Sequence, residues 1–341
     1  MSTQTAVQLL MKTQQMSDPM TSYGYGLTFD FTEQIPEGQQ ILAYSVGLSG
    51  FSVQYATQSN SSCEEVQQFG IGLVPSLVSG SVVNVACNLL LTDYDGDATS
   101  ETQDVDGRES YAIVTVIAII GTSPTNDWTV TNIFWQKSGS PSGNIPAFAT
   151  NAACSGLYVA GFDFLYSGSG TQEVNGFKLS TSSIAGSPNT NVVLSGDVTM
   201  TTDSKYDYSA TVSLGFLAFE NVSQGQVLGV DVITPTFSWS DPDGSSGMTG
   251  SFSASIDVPA GYEIAQTAFL MSYVYLDFNN YHDLGIIAAG LTSDADLTVS
   301  NNQVSGSLIM NLYANESIGK YSIQKDSSMN GLVLVTFAPV S

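Results

Sequence analysis

The chain repeats itself at a spacing of about 110 residues, and this repeat limits the folds that it can adopt. An Ile-Pro or Val-Pro dipeptide recurs, with 110 residues from Pro36 to Pro146 and 113 from Pro146 to Pro259. A Ser-Gly tetrapeptide recurs with steps of 116 and 110 residues, as Val-Ser-Gly-Ser at 78–81, Leu-Ser-Gly-Asp at 194–197 and Val-Ser-Gly-Ser at 304–307. Two independent markers with one period predict three copies of a domain of common size.

Alternation of apolar and polar residues predicts that each copy is built from strands. Residues 27–32 alternate in this way, and residues 251–258 do so most regularly. Gly, Ser, Asn and Pro gather between such segments, as surface turns require. Charged residues make up only 11% of the chain, too few for the wet faces of exposed helices. We predict an all-β fold of three tandem antiparallel β-sandwich (jelly-roll) domains, at 25–122, 123–222 and 223–341, after an N-terminal arm at 1–24.

The arm lies outside the repeat. Its apolar residues cluster at near-helical spacing, which predicts a short amphipathic helix over 4–16. A lone helix of this length is marginal in water. Two interpretations therefore remain open, a frayed terminus and an arm that docks on a neighbouring subunit.

The charge balance excludes one class of partner. Lys and Arg number 7 against 31 Asp and Glu, which gives a formal net charge of -24. Such a surface repels phosphate backbones, so we predict no nucleic-acid partner. No stretch reaches the roughly 20 apolar residues of a membrane helix, and the first 20 residues lack the apolar run of about 7–15 residues of a secretory signal. We predict no membrane insertion and no classical signal peptide.

The order of segments in each copy resembles the H-type lectin domain. An aromatic strand is followed by the Ile-Pro or Val-Pro dipeptide, a long apolar strand with a small-residue break, a short strand, a strand led by Ser-Gly and a final Val-rich strand. This order covers about 90 residues of each copy, starting from Leu27, Trp128 and Phe252. The resemblance implies a six-stranded sandwich, a trimer and sugar binding on its outer face. Domains of this kind also occur in phage tail fibres and other virion surface proteins.

An acidic segment offers the spacing of a calcium loop. Asp93, Asp95, Asp97 and Asp104 occupy the 1, 3, 5 and 12 positions from which such loops supply oxygen ligands. The turn glycine at position six is replaced by Ala98, and no helical patterns flank the segment, which excludes an EF-hand. A calcium site and a solvated acidic hairpin tip both remain open.

Aromatic residues provide the candidate sugar-binding positions. A sugar-stacking platform could include Trp128, Trp135 and Trp239, with Tyr275 and Tyr281, whereas tryptophans in apolar strands more often pack in the core or at a subunit interface. Only Trp239, next to a turn, is predicted to be exposed, and the candidate sugar-binding residues are Trp239 and Tyr281. His282, the single histidine, has no partners arranged as a catalytic triad. We predict no catalytic residues and no enzyme activity.

The three cysteines, Cys63, Cys87 and Cys154, show neither zinc-ligand spacing nor a disulfide framework. Cys87 lies in an apolar run and is predicted to be a buried small hydrophobe. One bridge between two of the three remains open.

These features favour a non-enzymatic structural and adhesive surface protein. We predict a phage virion component, such as a tail fibre, decoration or capsid-associated protein, that forms a homo-oligomer, with a trimer favoured, on a virion or extracellular particle surface. Its partners would be other virion or surface proteins. The alternative is a soluble carbohydrate-binding lectin with calcium as a possible cofactor.

Overall fold

The computed structural model is built from antiparallel β-strands, which confirms the predicted all-β class. It describes residues 7–16, 25–54, 66–93, 110–123, 128–145, 154–166, 173–184, 192–202, 207–219, 229–241, 247–282, 284, 286–316 and 319–340. One 3-10 turn, Thr32–Gln34, accompanies the strands in these ranges. The strands are β1 (Gln8–Met16), β2 (Tyr25–Asp30), β3 (Gln40–Gln54), β4 (Val66–Ser79), β5 (Val82–Asp93), β6 (Tyr111–Gly121), β7 (Trp128–Lys137), β8 (Pro141–Ile145), β9 (Cys154–Tyr166), β10 (Val174–Ile184), β11 (Val192–Thr202), β12 (Tyr208–Phe219), β13 (Gly229–Ile233), β14 (Thr236–Trp239), β15 (Met248–Ser255), β16 (Tyr262–His282), β17 (Ile286–Leu291), β18 (Thr298–Ser300), β19 (Gln303–Glu316), β20 (Gly319–Ser322) and β21 (Ser328–Pro339).

The strands form three sheets. Sheet A has the order β1-β6-β3-β17-β19-β15-β14, with β18 and β20 paired to β19. Sheet B has the order β2-β5-β4-β9-β12-β7, and sheet C has the order β13-β21-β16-β10-β11-β8. In the described residues, no helix is long and apolar enough to cross a membrane.

Each predicted unit, the first taken together with β1 of the predicted arm, divides its strands between two sheets. The inner sets are β1-β6-β3, β7-β12-β9 and β13-β21-β16, and the outer sets are β2-β5-β4, β8-β11-β10 and β14-β15-β19-β17. The outer set of one unit pairs with the inner set of the next, through β4 with β9, β10 with β16, and β17 with β3. This pairing is cyclic, so the three units occupy equivalent positions in a ring.

The prediction of three separately closed sandwiches is not confirmed, because the sheets continue across 122/123 and 222/223. The main core is likewise shared between units. Its aromatic centre joins Phe51 and Phe69 of the first unit to Phe162 and Phe177 of the second, with ring centroids 5.1–6.2 Å apart. Each predicted boundary lies between two consecutive strands that belong to different sheets. The division of the chain into these segments stays a prediction.

The strands β3, β9 and β16 contact one another along the centre of the ring, and we call them the axial strands. Each has a β-bulge at a corresponding place, after Leu48, Val159 and Met271. A bulge bends and twists its strand, and beyond it each axial strand pairs with the outer set of another unit. The small-residue break that the sequence shows in the first unit therefore marks the point where two units join.

Residues 8–16 form a strand, so the predicted N-terminal helix is wrong. β1 pairs with β6 over its whole length. Leu9 packs in the core around the axis while Leu10 packs in the main core. A strand buried on both faces carries consecutive apolar residues, and such a run also satisfies helical spacing.

Side chains cover the free edge of β1. The amide of Met11 donates to Gln266 Oε1 at 3.0 Å, and the amide of Gln15 donates to Asp294 Oδ2 at 3.1 Å. From the same strand, Gln14 Nε2 donates to the carbonyl of Thr28 on the edge of β2 at 3.1 Å. Edge strands with free amides invite pairing with other chains, and these contacts reduce that tendency.

Replacing Gln266 by Leu will destabilise the protein by about 1–3 kcal/mol, because the part-buried Met11 amide loses its acceptor. Gln266→Glu keeps an acceptor oxygen and will cost less. Urea unfolding measures both changes. Equal stability of Gln266→Leu and the unaltered protein would show that water replaces the acceptor without cost.

Candidate functional site

The predicted calcium ligands lie outside the residues whose side chains are described. Asp93 ends β5 and its backbone is placed, whereas Asp95, Asp97 and Asp104 fall in 94–109. Among the described residues, no group of three or more His, Cys, Asp and Glu side chains could hold a metal ion. The calcium site stays a prediction.

The predicted sugar-stacking residues have different outcomes. Trp239 ends β14, where its half-buried ring packs against the main core. A methyl group on Gly250 of the neighbouring strand would lie 2.3 Å from its ring, so the indole covers that glycine. The backbone of Tyr281 and His282 belongs to β16, and their side chains lie outside the described residues.

The two described thiols are shielded from reaction. Cys87 is fully buried, as predicted, and burial raises its pKa to about 12. Cys154 is half-buried, and burial together with the Asp231 carboxylate raises its pKa to about 12. Both are free thiols, and Cys63 lies outside the described residues. The thiolate is the nucleophilic form, so neither group suits covalent catalysis at neutral pH.

Stability will fall as the pH rises above about 9, where an unfolded chain loses thiol protons that the fold retains. Cys87 alone will contribute up to about 1.4 kcal/mol per pH unit. Urea unfolding at pH 8, 9 and 10 measures this slope, and Cys87→Ala will reduce it. An unchanged slope in Cys87→Ala would contradict the assignment of this pH dependence to the Cys87 thiol.

An exposed indole that the sequence did not predict lies on the outer face of sheet B. Trp135 is 40% exposed and sits in a bulge of β7 with a left-handed backbone, φ 52°. A bulky residue rarely adopts this conformation, and the cost is about 1–3 kcal/mol. The Trp135 amide donates to Ser213 Oγ of β12 at 2.9 Å, which holds the bulge in place.

The Trp135 ring crosses sheet B and reaches the outer set of the first unit. A methyl group on Gly72 of β4 would lie 3.3 Å from indole Cη2 and 3.5 Å from Cζ2. Gly161 of β9 pairs with Ser213 of β12, and both strands lie between β7, which carries Trp135, and β4, which carries Gly72. The ring therefore bridges the junction of the first and second units over small residues.

The strand register places polar and apolar residues close to Gly72 on β4, β5 and β9. Together with the ring they form what we call the indole platform: Trp135, Gly72, Asn88, Asp163 and Val74. Asn88 is exposed and its Cβ lies 3.8 Å from the place of a methyl group on Gly72. Asp163 Oδ1 accepts a hydrogen bond from Gln68 Nε2 at 2.8 Å. Val74 is 49% exposed. The sequence signal was the Gly-Ile-Gly alternation at 70–72, which leaves one face of a strand free of side chains.

A groove of about 340 Å³ lies at the junction of the first and third units. Leu9, Val230 and Phe337 form its apolar wall, and Gln34 and Gln266 supply amides. Its floor includes Ala265, the bulge residue of β16, whereas the corresponding bulge residue of β3 is Leu42. The Ala265 side chain is smaller than that of Leu42, so it fills less of the groove.

Comparison with known proteins adds no relative from which a function can be transferred. No model of a known protein family matches the chain, and no curated protein sequence matches it. The function has to be inferred from the residues themselves.

Proposed function

We propose that the protein is a non-enzymatic structural and adhesive protein of a phage virion surface, a tail-fibre, decoration or capsid-associated component. The observation that carries this proposal is the cyclic sharing of strands. Every unit supplies strands to two sheets, and every sheet joins two units. Separating the units requires breaking backbone hydrogen bonds along β4, β10 and β17. A protein whose units share sheets in this way suits a particle surface that has to resist mechanical and chemical stress.

The strand edges support assembly through side-chain surfaces rather than through added strands. Side chains occupy the amides of the β1 edge. In β4, Pro75 lies beyond the segment that pairs with β9 and offers no amide hydrogen. Open filaments built by strand exchange need a free edge, so we favour a closed homo-oligomer, with a trimer first.

Light scattering during gel filtration tests the oligomer. A mass three times the 36.0 kDa of one chain supports the trimer. A mass of one chain at all concentrations contradicts it, and the ring of units within the chain would then be the whole assembly.

The location is tested in the organism that produces the protein. An antibody against the chain should detect it in particles purified by sedimentation. Detection in the soluble fraction alone contradicts the proposal. A glycan array, run with and without calcium, then decides on the lectin alternative, which specific binding would favour.

A further inference from the structure

The indole platform contains a gap between an aromatic ring and a carboxylate. Gly70 and Gly72 are two residues apart on β4, so their side-chain positions lie about 6.6 Å apart on one face. A methyl group on Gly72 would lie 3.3 Å from the Trp135 ring, and one on Gly70 would lie 3.0 Å from Asp163 Oδ1. The ring thus lies beside the Gly72 end and the carboxylate beside the Gly70 end of this stretch of β4. Neither glycine places a side chain in the gap.

This gap combines the two kinds of group that bind a cation, an aromatic ring and a carboxylate. A cation binds over an indole within about 6 Å of the ring centroid, and a charge-assisted hydrogen bond to a carboxylate is about 2.8 Å long. We expect a guanidinium or ammonium group in the gap to contact both groups. The bond from Gln68 Nε2 to Asp163 Oδ1 holds the carboxylate in position.

The charge of the chain indicates where the cation comes from. Lys and Arg number 7 against 31 Asp and Glu. The net charge of -24 produces a field that repels anions. A polypeptide segment with excess Lys or Arg is attracted by the same field. Val74, 49% exposed, and Leu165, 36% exposed, lie on the same sheet and offer contacts to apolar residues of such a segment.

We propose that the indole platform binds a basic segment of a partner polypeptide, with one Arg or Lys side chain seated between the Trp135 ring and the Asp163 carboxylate. The strained backbone of Trp135 is then the feature that aims the ring across Gly72. This inference goes beyond the proposed function, because it names the chemistry of a partner and holds whether or not the particle is a virion.

The probe is the blocked tripeptide Gly-Arg-Gly, compared with Gly-citrulline-Gly, which has nearly the same shape and no charge. Binding is followed from the indole proton resonances of the three tryptophans. We expect saturable shifts of the Trp135 resonance with the Arg peptide and at least fivefold weaker binding of the citrulline peptide. Trp135→Ala and Asp163→Asn will each weaken binding about fivefold or more.

Asp257→Asn is the matched control, because it removes the same charge from an exposed residue between β15 and β16. It will leave the affinity within about twofold, as screened distant charges contribute little. If Trp135→Ala fails to fold, Asp163→Asn decides the test. Three results would each overturn the proposal. The first is equal binding of both peptides, and the second is a loss of affinity in Asp257→Asn equal to that in Asp163→Asn. The third is a Trp135 resonance that shifts with neutral glycans and not with the Arg peptide.

Discussion

A fragment ending at residue 222 will not unfold cooperatively, because two of its sheets lose half or more of their strands. Without the third unit, sheet A lacks β14, β15, β17, β18, β19 and β20, and sheet C lacks β13, β16 and β21. The edges of β3 and β10 are then exposed along the segments that pair with β17 and β16. We expect no sigmoidal urea transition and no protection of amides from hydrogen exchange in β10.

The separately expressed fragment 223–341 provides the control. Mixing the two fragments should restore the cooperative transition, because the pairs of β3 with β17 and of β10 with β16 can form between chains. Recovery shows that the loss comes from missing strand partners and not from damage at the new terminus. A stable, cooperative fragment 1–222 would contradict the cyclic arrangement and favour three sandwiches that close independently.

The sequence predicted the strands but not their partners. Alternation shows which face of a strand is buried, and this was sufficient for β2 and β15. It does not show which strand lies alongside. Gly50 pairs with Gly290, and a methyl group on Gly50 would lie 2.4 Å from the carbonyl of Leu291. This fit depends on residues about 240 positions apart in the chain, which a local pattern does not contain.

The repeat markers occupy different structural places and serve different physical purposes. The Pro dipeptides precede the axial strands, with Pro36 before β3 and Pro259 before β16. The Ser-Gly markers occupy different places, since Gly80 lies in the turn before β5 whereas Gly196 and Gly306 lie within β11 and β19. There, a methyl group on Gly196 would lie 2.7 Å from Val212. One dipeptide thus serves a turn in one unit and close packing in the others.

The candidate platform was missed because a bulge changes which face a side chain occupies. Trp135 was predicted to be packed, and Trp239 to be exposed. In β7 the register shifts between Ile133 and Gln136, where two residues of β7 face one residue of β12. Bulges depend on the partner strand, so the sequence of β7 alone does not locate one.

At the centre of the ring the three units carry different residues. Gly47, Tyr158 and Leu270 each lie one position before the residue at which the axial bulge begins. A methyl group on Gly47 would lie 2.6 Å from Tyr158 Cδ2 and 2.7 Å from Leu270 Cδ2, so the three positions meet. The large side chain of Tyr158 and the medium one of Leu270 fill this space, and Gly47 leaves room for them. Three identical residues would not fill it equally well.

Tyr158→Ala will therefore destabilise the protein by about 3–5 kcal/mol, because no neighbouring side chain can occupy the space of the fully buried ring. Tyr158→Phe separates packing from hydrogen bonding. The Tyr158 hydroxyl donates to Ser45 Oγ at 2.6 Å, and its loss will cost about 1 kcal/mol. Urea unfolding measures both variants.

Gly47→Ala tests whether the ring and the glycine depend on each other. In the unaltered protein it will cost about 1–3 kcal/mol, because the new methyl group overlaps the Tyr158 ring. In the Tyr158→Ala background that overlap is gone, and the cost should fall by at least about 1 kcal/mol. Additive effects of the two substitutions would mean that the axial side chains pack independently, and the three units would then not be held together by complementary residues at their centre.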